Sequence, residues 1–223
     1  MLENKLIIFI LKNLNSKEAL IVPLEKELLN RNIRIKVGNL PNKSLDKNII
    51  EINDEYEKEN FNLVFEIKKV AENIIRNIPG IKLKDIGKII YITDTDDYYF
   101  KNKKKYLNTL FDKRNIQLIK GKSRQDIPLD IIFMSQNLEH VLTGELKEYS
   151  PEKKEKISTE FRKKCEEDFN KYKFFFTSSD IKKWETYSES YNSEIINEKV
   201  SNMNCLLDEL LENKKRWVKY KKY

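Results

Sequence analysis

Residues 5–11, KLIIFIL, follow one lysine with six apolar side chains and no polar interruption. The length is that of a strand, and successive strand side chains point to opposite faces. This strand must therefore be covered on both sides, as in a parallel sheet clothed by helices. A sheet with one wet face cannot satisfy it.

The next segments agree with that demand. NSKEALIVPLEKELLNRN reads as a helix with Asn15 or Ser16 as cap and Leu20, Leu24 and Leu28 on one face. Pro23 either kinks it or marks where the helix proper begins. IRIKVGN (33–39) alternates Ile33, Ile35 and Val37 as a second strand, so a β–α–β crossover opens the chain. Residues 40–60 are polar, with room for a short strand at 49–52. FNLVFEIKKVAENIIRNI (61–78) is predicted helical and ends at Pro79-Gly80. KIIYITD, IQLIK (116–120) and LDIIFM (129–134) are further strands, with a helix around 100–113 between the first two. The expected fold is α/β, a mainly parallel sheet flanked by helices, over residues 1–147. From Ser150-Pro151, a cap followed by proline at the first helical position, no strand is evident. Residues 148–223 are predicted to be an all-helical extension, whose first helix is PEKKEKISTEFRKKCEEDFNKYK. The next is capped by Ser179 or Asp180.

Composition excludes several classes. Charged residues are 35% and apolar ones 39%, and only 5 Gly and 5 Pro are present, which argues against disorder and against a turn-rich all-β fold. Cys165 and Cys205 lack metal-ligand spacing and read as reduced thiols. There is no run of about 18 apolar residues, and MLENKLIIFILKN is too short and too acidic for a signal peptide, so a cytoplasmic protein without a membrane segment is expected. The net charge of +7 resides in clusters: KNKKKY at 101–106, KGKSR at 120–124 and KKRWVKYKKY at 214–223. These are either solvated faces or a surface for polyanions, with Trp217, Tyr220 and Tyr223 available for stacking.

The chemistry-bearing stretch is KIIYITDTDDYYF (88–100), an apolar strand that stops in Asp94, Asp96 and Asp97. Ligands of open parallel sheets bind beyond the carboxyl ends of the strands. If strand geometry persists, Asp94 and Asp96 share a face. Two carboxylates at that separation repel, and a hard cation relieves the conflict. Asp97 points the other way and suits a helix cap. The alternative is a solvated turn. LDIIFMSQNLEHVL (129–142) repeats the theme, a strand that breaks at Ser135 into a helix carrying Glu139 and the lone histidine, His140. Glu139 is either a crevice acid or a first-turn acid favoured by the helix dipole.

This order of elements resembles the TOPRIM fold of the RloB-like and OLD-like nucleases over roughly residues 5–145. YITDTDDYYF matches the family's Asp-x-Asp strand. SQNLEHVL sits where RloB-like proteins have Ser-Asn-Pro-x-Phe-Glu and an apolar helix, though it lacks the proline and the aromatic. The resemblance implies a nuclease that holds Mg²⁺ or Mn²⁺ through Asp94, Asp96 and Glu139. From the basic clusters, Lys103, Lys104, Lys105, Lys120, Lys122 and Arg124, close in sequence to the site strands, and Lys214, Lys215 and Arg216 of the tail would hold the backbone of DNA or RNA. Such nucleases are often paired with an ATPase in phage defence. This chain has no G-x-x-x-x-G-K-[ST], so an ATPase partner would be a separate subunit. One departure stands out. The family's first strand ends in Glu, whereas Lys12 and Asn13 stand here. Glu18, a second acid of the family pattern, reaches in, or Glu66 substitutes, or hydrolysis is lost and the protein is a binding module. Glycosyltransferases also end a strand in Asp-x-Asp but need a larger acceptor domain. Haloacid-dehalogenase-type phosphatases place theirs on the first strand.

Overall fold

The computed structural model describes residues 4–11, 17–40, 63–94, 115–134, 137–178, 199 and 201–212. Its centre is a five-stranded sheet: β1 (Leu6–Leu11), β2 (Arg34–Asn39), β3 (Ile86–Asp94), β4 (Asn115–Lys120) and β5 (Ser123–Met134), in spatial order β2-β1-β3-β5-β4. β2, β1, β3 and β5 run parallel, and β4 joins the edge antiparallel to β5. The fold is α/β with a mostly parallel, mixed sheet. The expected strand at 49–52 and helix around 100–113 lie outside the described residues.

Alternation along β1 explains the two layers. Ile7, Phe9 and Leu11 face one core, and Leu6, Ile8 and Ile10 face the other. The first face is covered by α1 (Val22–Asn30) and the second by α2 (Leu63–Arg76), through Leu24 and Leu28 and through Ile67, Ala71 and Ile75 respectively. Crossovers on opposite faces send the chain outward to β2 and then back past β1 to β3, as right-handed connections demand. Pro23 lies in the first turn of α1, so the helix proper begins there. A π-helical turn, Lys17–Ile21, precedes it. Gly38 lets α2 rest directly on β2, because a Cβ there would meet Val70 Cγ1 at 2.6 Å and Ile74 Cδ1 at 2.8 Å.

β5 starts six residues earlier than its apolar pattern suggests, at Ser123 rather than Leu129. Its first half pairs only with β4, and pairing with β3 begins at Leu129. Pro128 therefore sits where one flank has no ladder, the position a strand proline tolerates. KGKSR becomes a two-residue hairpin between Lys120 and Ser123. Gly121 has φ 60° and Lys122 is not among the positive-φ residues, which fits a type II′ turn. A connection that short forces antiparallel pairing.

The described helices after residue 150 do not form a layer of their own. α4 (Pro151–Glu167) is capped by Ser150, as expected, but the long helix predicted through Lys173 breaks at Asp168. Asp168 is extended (φ −148°, ψ 104°), and its carboxylate accepts from Asn170 N–H at 3.0 Å to start α5 (Phe169–Thr177). Phe161, Phe169, Tyr172, Phe175 and Phe176 interlock, and the Tyr172 hydroxyl donates to Leu20 C=O at 2.7 Å. α6 (Met203–Glu212) buries Leu206, Leu207 and Leu210 in the same core as Ile90, Ile92 and Ile132 of the sheet. α1, α4, α5 and α6 thus share one core on the first face.

Leu207 is fully buried. Leu207→Ala should cost about 2–5 kcal/mol. Because the helices share the sheet's core, denaturant unfolding should remain one transition for sheet and helices alike. A separate early transition confined to the helices would contradict the shared core.

Candidate functional site at the carboxyl edge of the sheet

The chain reverses direction in the sheet between β1 and β3, so the crevice beyond their carboxyl ends is where a ligand would enter such a sheet. Asp94 closes β3, the central strand, at that edge. It is only 5% exposed and lies beside Met134 of β5 in register. Its position alternates with Ile90 and Ile92, which places it on the first face. Three residues past Met134, Asn137 caps α3 (Leu138–Thr143), accepting from His140 N–H at 2.9 Å, and Gly144 in the left-handed region closes the helix. Glu139, also 5% exposed, is the second residue of α3, and His140 beside it is buried too. Leu138 and Val141 seat α3 against the first-face core.

A third stretch crosses this edge. Ser201 forms an isolated antiparallel bridge with Met134, and Asn202 Nδ2 donates to Ile131 C=O at 2.8 Å. The segment leading into α6 is therefore tied to the end of β5, next to the strand that carries Asp94. Sequence reasoning saw only helix here, because SNMN has no apolar pattern of its own.

The other expected site residues are placed as follows. Asp96, Asp97, Ser135, Lys103, Lys104, Lys105, Lys214, Lys215 and Arg216 lie outside the described residues. Glu18 belongs to the π-helical turn that follows β1, and its side chain is likewise outside description. Glu66 opens α2 on the second face and pairs with Lys69 at 3.1 Å, so the substitute role considered for it is opposed by its position on the face away from Asp94. Lys120, Lys122 and Arg124 occupy the hairpin at the far end of β5, about 35 Å from Met134 by strand rise. They cannot grip a phosphate held at Asp94. Nearness in sequence to a site strand is therefore not nearness to its carboxyl end.

One charged cluster was missed. Lys88 in β3 is 5% exposed, pairs with Asp130 of β5, and donates to Glu209 Oε1 of α6 at 2.5 Å. The available signal was a lysine in a strand buried on both faces, which must find an anion. Burial pushes the Cys165 thiol up to about 11, which makes it a poor nucleophile or metal ligand at neutral pH. A cleft of about 450 Å³ runs along α5, lined by Lys171, Phe174, Phe175 and Lys199 among others, and includes neither Asp94 nor Glu139.

Asp94 and Glu139 offer carboxylate oxygens of the kind a hard divalent cation takes, with the buried imidazole of His140 next to Glu139. Among the described residues no three His, Cys, Asp or Glu are grouped to hold a metal. Among them, too, no helix is long and apolar enough to cross a membrane. No family model, curated protein or solved structure matches this chain.

Removing Lys88 would leave Asp130 and Glu209 facing one another with their shared cation gone. Lys88→Met should therefore cost about 3–5 kcal/mol. Combined with Glu209→Gln it should cost clearly less than the sum of the two single changes. Additive losses in a double-mutant cycle would show that the three groups do not act as a unit.

Proposed function

We propose that this protein is a divalent-cation-dependent nuclease of TOPRIM-like type that hydrolyses phosphodiester bonds of DNA or RNA. The observation that carries the reading is Asp94: a buried carboxylate on the last residue of the central parallel strand, beside the point where the sheet reverses order. A carboxylate kept at that depth is costly, and such groups concentrate at functional sites.

In this reading Asp94 and Glu139 hold Mg²⁺ or Mn²⁺ together with Asp96. The bound cation polarises the scissile phosphate and lowers the pKa of an attacking water. The chain's own part is to fix the carboxylates. Asp94 is held by the β3 ladder between β1 and β5, and Glu139 by the Asn137 cap and the packing of Leu138 and Val141. Glu18, on the turn after β1, is assigned in this reading as a further acid from the neighbouring strand end. A role in phage defence with a separate ATPase subunit belongs to the same reading and rests on the resemblance alone. A second reading, a binding module that has lost hydrolysis, is favoured by Lys12 and Asn13 standing where the family has its first-strand Glu.

With Mg²⁺ or Mn²⁺ the protein should nick plasmid or cut RNA, and chelation should stop it. Asp94→Asn should fold, lose the cation-induced rise in melting temperature, and cut more slowly by more than the roughly 100-fold that loss of an outer-shell partner costs. Equal cation stabilisation of wild type and Asp94→Asn would remove the metal site. A wild type that binds the cation but never cuts would leave the binding module.

A further inference from the structure

The opposite pole of the sheet carries charge that the candidate chemistry does not use. At the amino ends of the strands the topology brings together residues far apart in sequence. Leu6 of β1 is in register with Arg34 of β2 and with Ile86 of β3. Lys5 Nζ donates to Lys84 C=O at 2.6 Å, and Arg34 N–H donates to Lys5 C=O at 3.0 Å. On the other side, Lys120 Nζ donates to Ile81 C=O at 2.8 Å and to Ile75 C=O at 3.2 Å, which anchors the β4–β5 hairpin beside the loop carrying Lys82 and Lys84. Because Ile89 aligns with Leu129, the hairpin extends three residues, about 10 Å, past the start of β3.

The result is a row of cations across the amino edge: Arg34, Lys5, Lys84, Lys82, Lys122 and Arg124. All but Lys5 are exposed. Among the described residues, the side chains of Arg34, Lys84, Lys122 and Arg124 enter no ion pair. Among the described residues, Asp85 and Asp126 supply acid along this edge and Glu27 pairs with Arg31 beside it at 2.8 Å, while Asp85 accepts from the Lys82 backbone N–H at 2.8 Å. Four strands at about 4.8 Å spacing make the row roughly 15 Å wide, the axial reach of four or five phosphates of one nucleic-acid strand. The exposed large apolar residues Phe65, Leu146 and Phe174 belong to α2, the loop after α3 and α5, and of those exposed only Leu29 borders this edge. A membrane-seeking surface would pair its cations with aromatic or aliphatic anchors. This one is charge alone, presented on rigid strand ends and a tight hairpin, which suits a phosphodiester backbone read without regard to sequence.

We propose that the amino edge of the sheet, through Lys82, Lys84, Lys122, Arg124, Lys5 and Arg34, is a nucleic-acid backbone-binding surface separate from the carboxyl-edge site. It holds a duplex at the pole opposite Asp94, so it tethers the protein to nucleic acid rather than positioning a scissile bond. It stands whether or not the carboxyl edge is catalytic.

The test is fluorescence anisotropy of a labelled DNA duplex and an RNA duplex of about 20 base pairs with the full chain, titrated between about 50 and 200 mM salt. The variant K82Q/K84Q/K122Q/R124Q should bind at least one of the duplexes that wild type binds about tenfold or more weakly at the low-salt end. The slope of log affinity against log salt should flatten by about 2–4, since each lost phosphate contact removes about 0.9. The variant K153Q/K156Q/K163Q/K164Q, which removes the same charge from α4, should keep both affinity and slope near wild type. An equal loss in the α4 variant, an unchanged slope in the amino-edge variant, or no duplex binding by wild type would overturn the proposal. So would wild-type binding to phosphatidylserine vesicles with none to either duplex.

Discussion

Burial of β1 and β3 on both faces is the constraint from which the rest of this architecture follows. Ile7, Ile8, Phe9, Ile10 and Leu11 are fully buried, and Ile89, Ile90 and Tyr91 repeat the condition one strand over. No arrangement with one solvated face can hold such strands. α2 covers the second face, but α1 alone is too short for the first, since its nine residues extend only about 13 Å. The helices beyond residue 150 complete that face, which is why they share its core.

A cover made of sequence-distant helices needs fixing in register, and polar groups do this at three points. Tyr172 reaches the Leu20 carbonyl in the turn after β1. Lys88 joins β3 and β5 to α6 through Asp130 and Glu209, and Asn202 holds the Ile131 carbonyl at the end of β5. Each joins the C-terminal third to a strand or to a turn beside one. Two of the three lie at or near the carboxyl edge, so the elements that complete the core also pack beside the strand ends that carry Asp94 and lead into Glu139.

The strands with an apolar run or an apolar alternation were legible in the sequence to within a residue or two: KLIIFIL, IRIKVGN and KIIYITD all pair as their patterns demand. Legibility failed where a strand or break carries no hydrophobic signal. SRQDIP is the first half of β5 because it pairs with β4, a non-local fact that no local pattern encodes. Asp168 reads as one more charged residue in a charged helix until its extended backbone shows that its carboxylate serves a cap. Asp94 and Glu139 were legible because strand ends and helix starts are marked by an abrupt switch from apolar to acidic residues. What their sequence could not supply was depth. Both could have been solvated first-turn or turn acids, and both are nine-tenths buried.

The two poles of the sheet differ in kind, and strand polarity is the reason. At the carboxyl edge the described connections lead into helices, β1 to the π-helical turn and α1 and β5 to α3, and Asp94 and Glu139 are buried there. At the amino edge the entries are short: Asn32-Ile33 before β2, the three-residue turn Leu83–Asp85 before β3, and the Gly121-Lys122 hairpin before β5. Loops that short cannot bury a long lysine or arginine, whose stem lies along the edge while the head stays in water. Lys120 is the exception that fits the rule, because its ammonium is spent on the Ile75 and Ile81 carbonyls and so secures the hairpin that presents Lys122 and Arg124. Parallel topology therefore leaves this chain with acids sunk at one end and cations displayed at the other. A phosphodiester chain approaching the amino edge meets its cations directly at the surface, whereas the carboxyl-edge acids Asp94 and Glu139 lie beneath it.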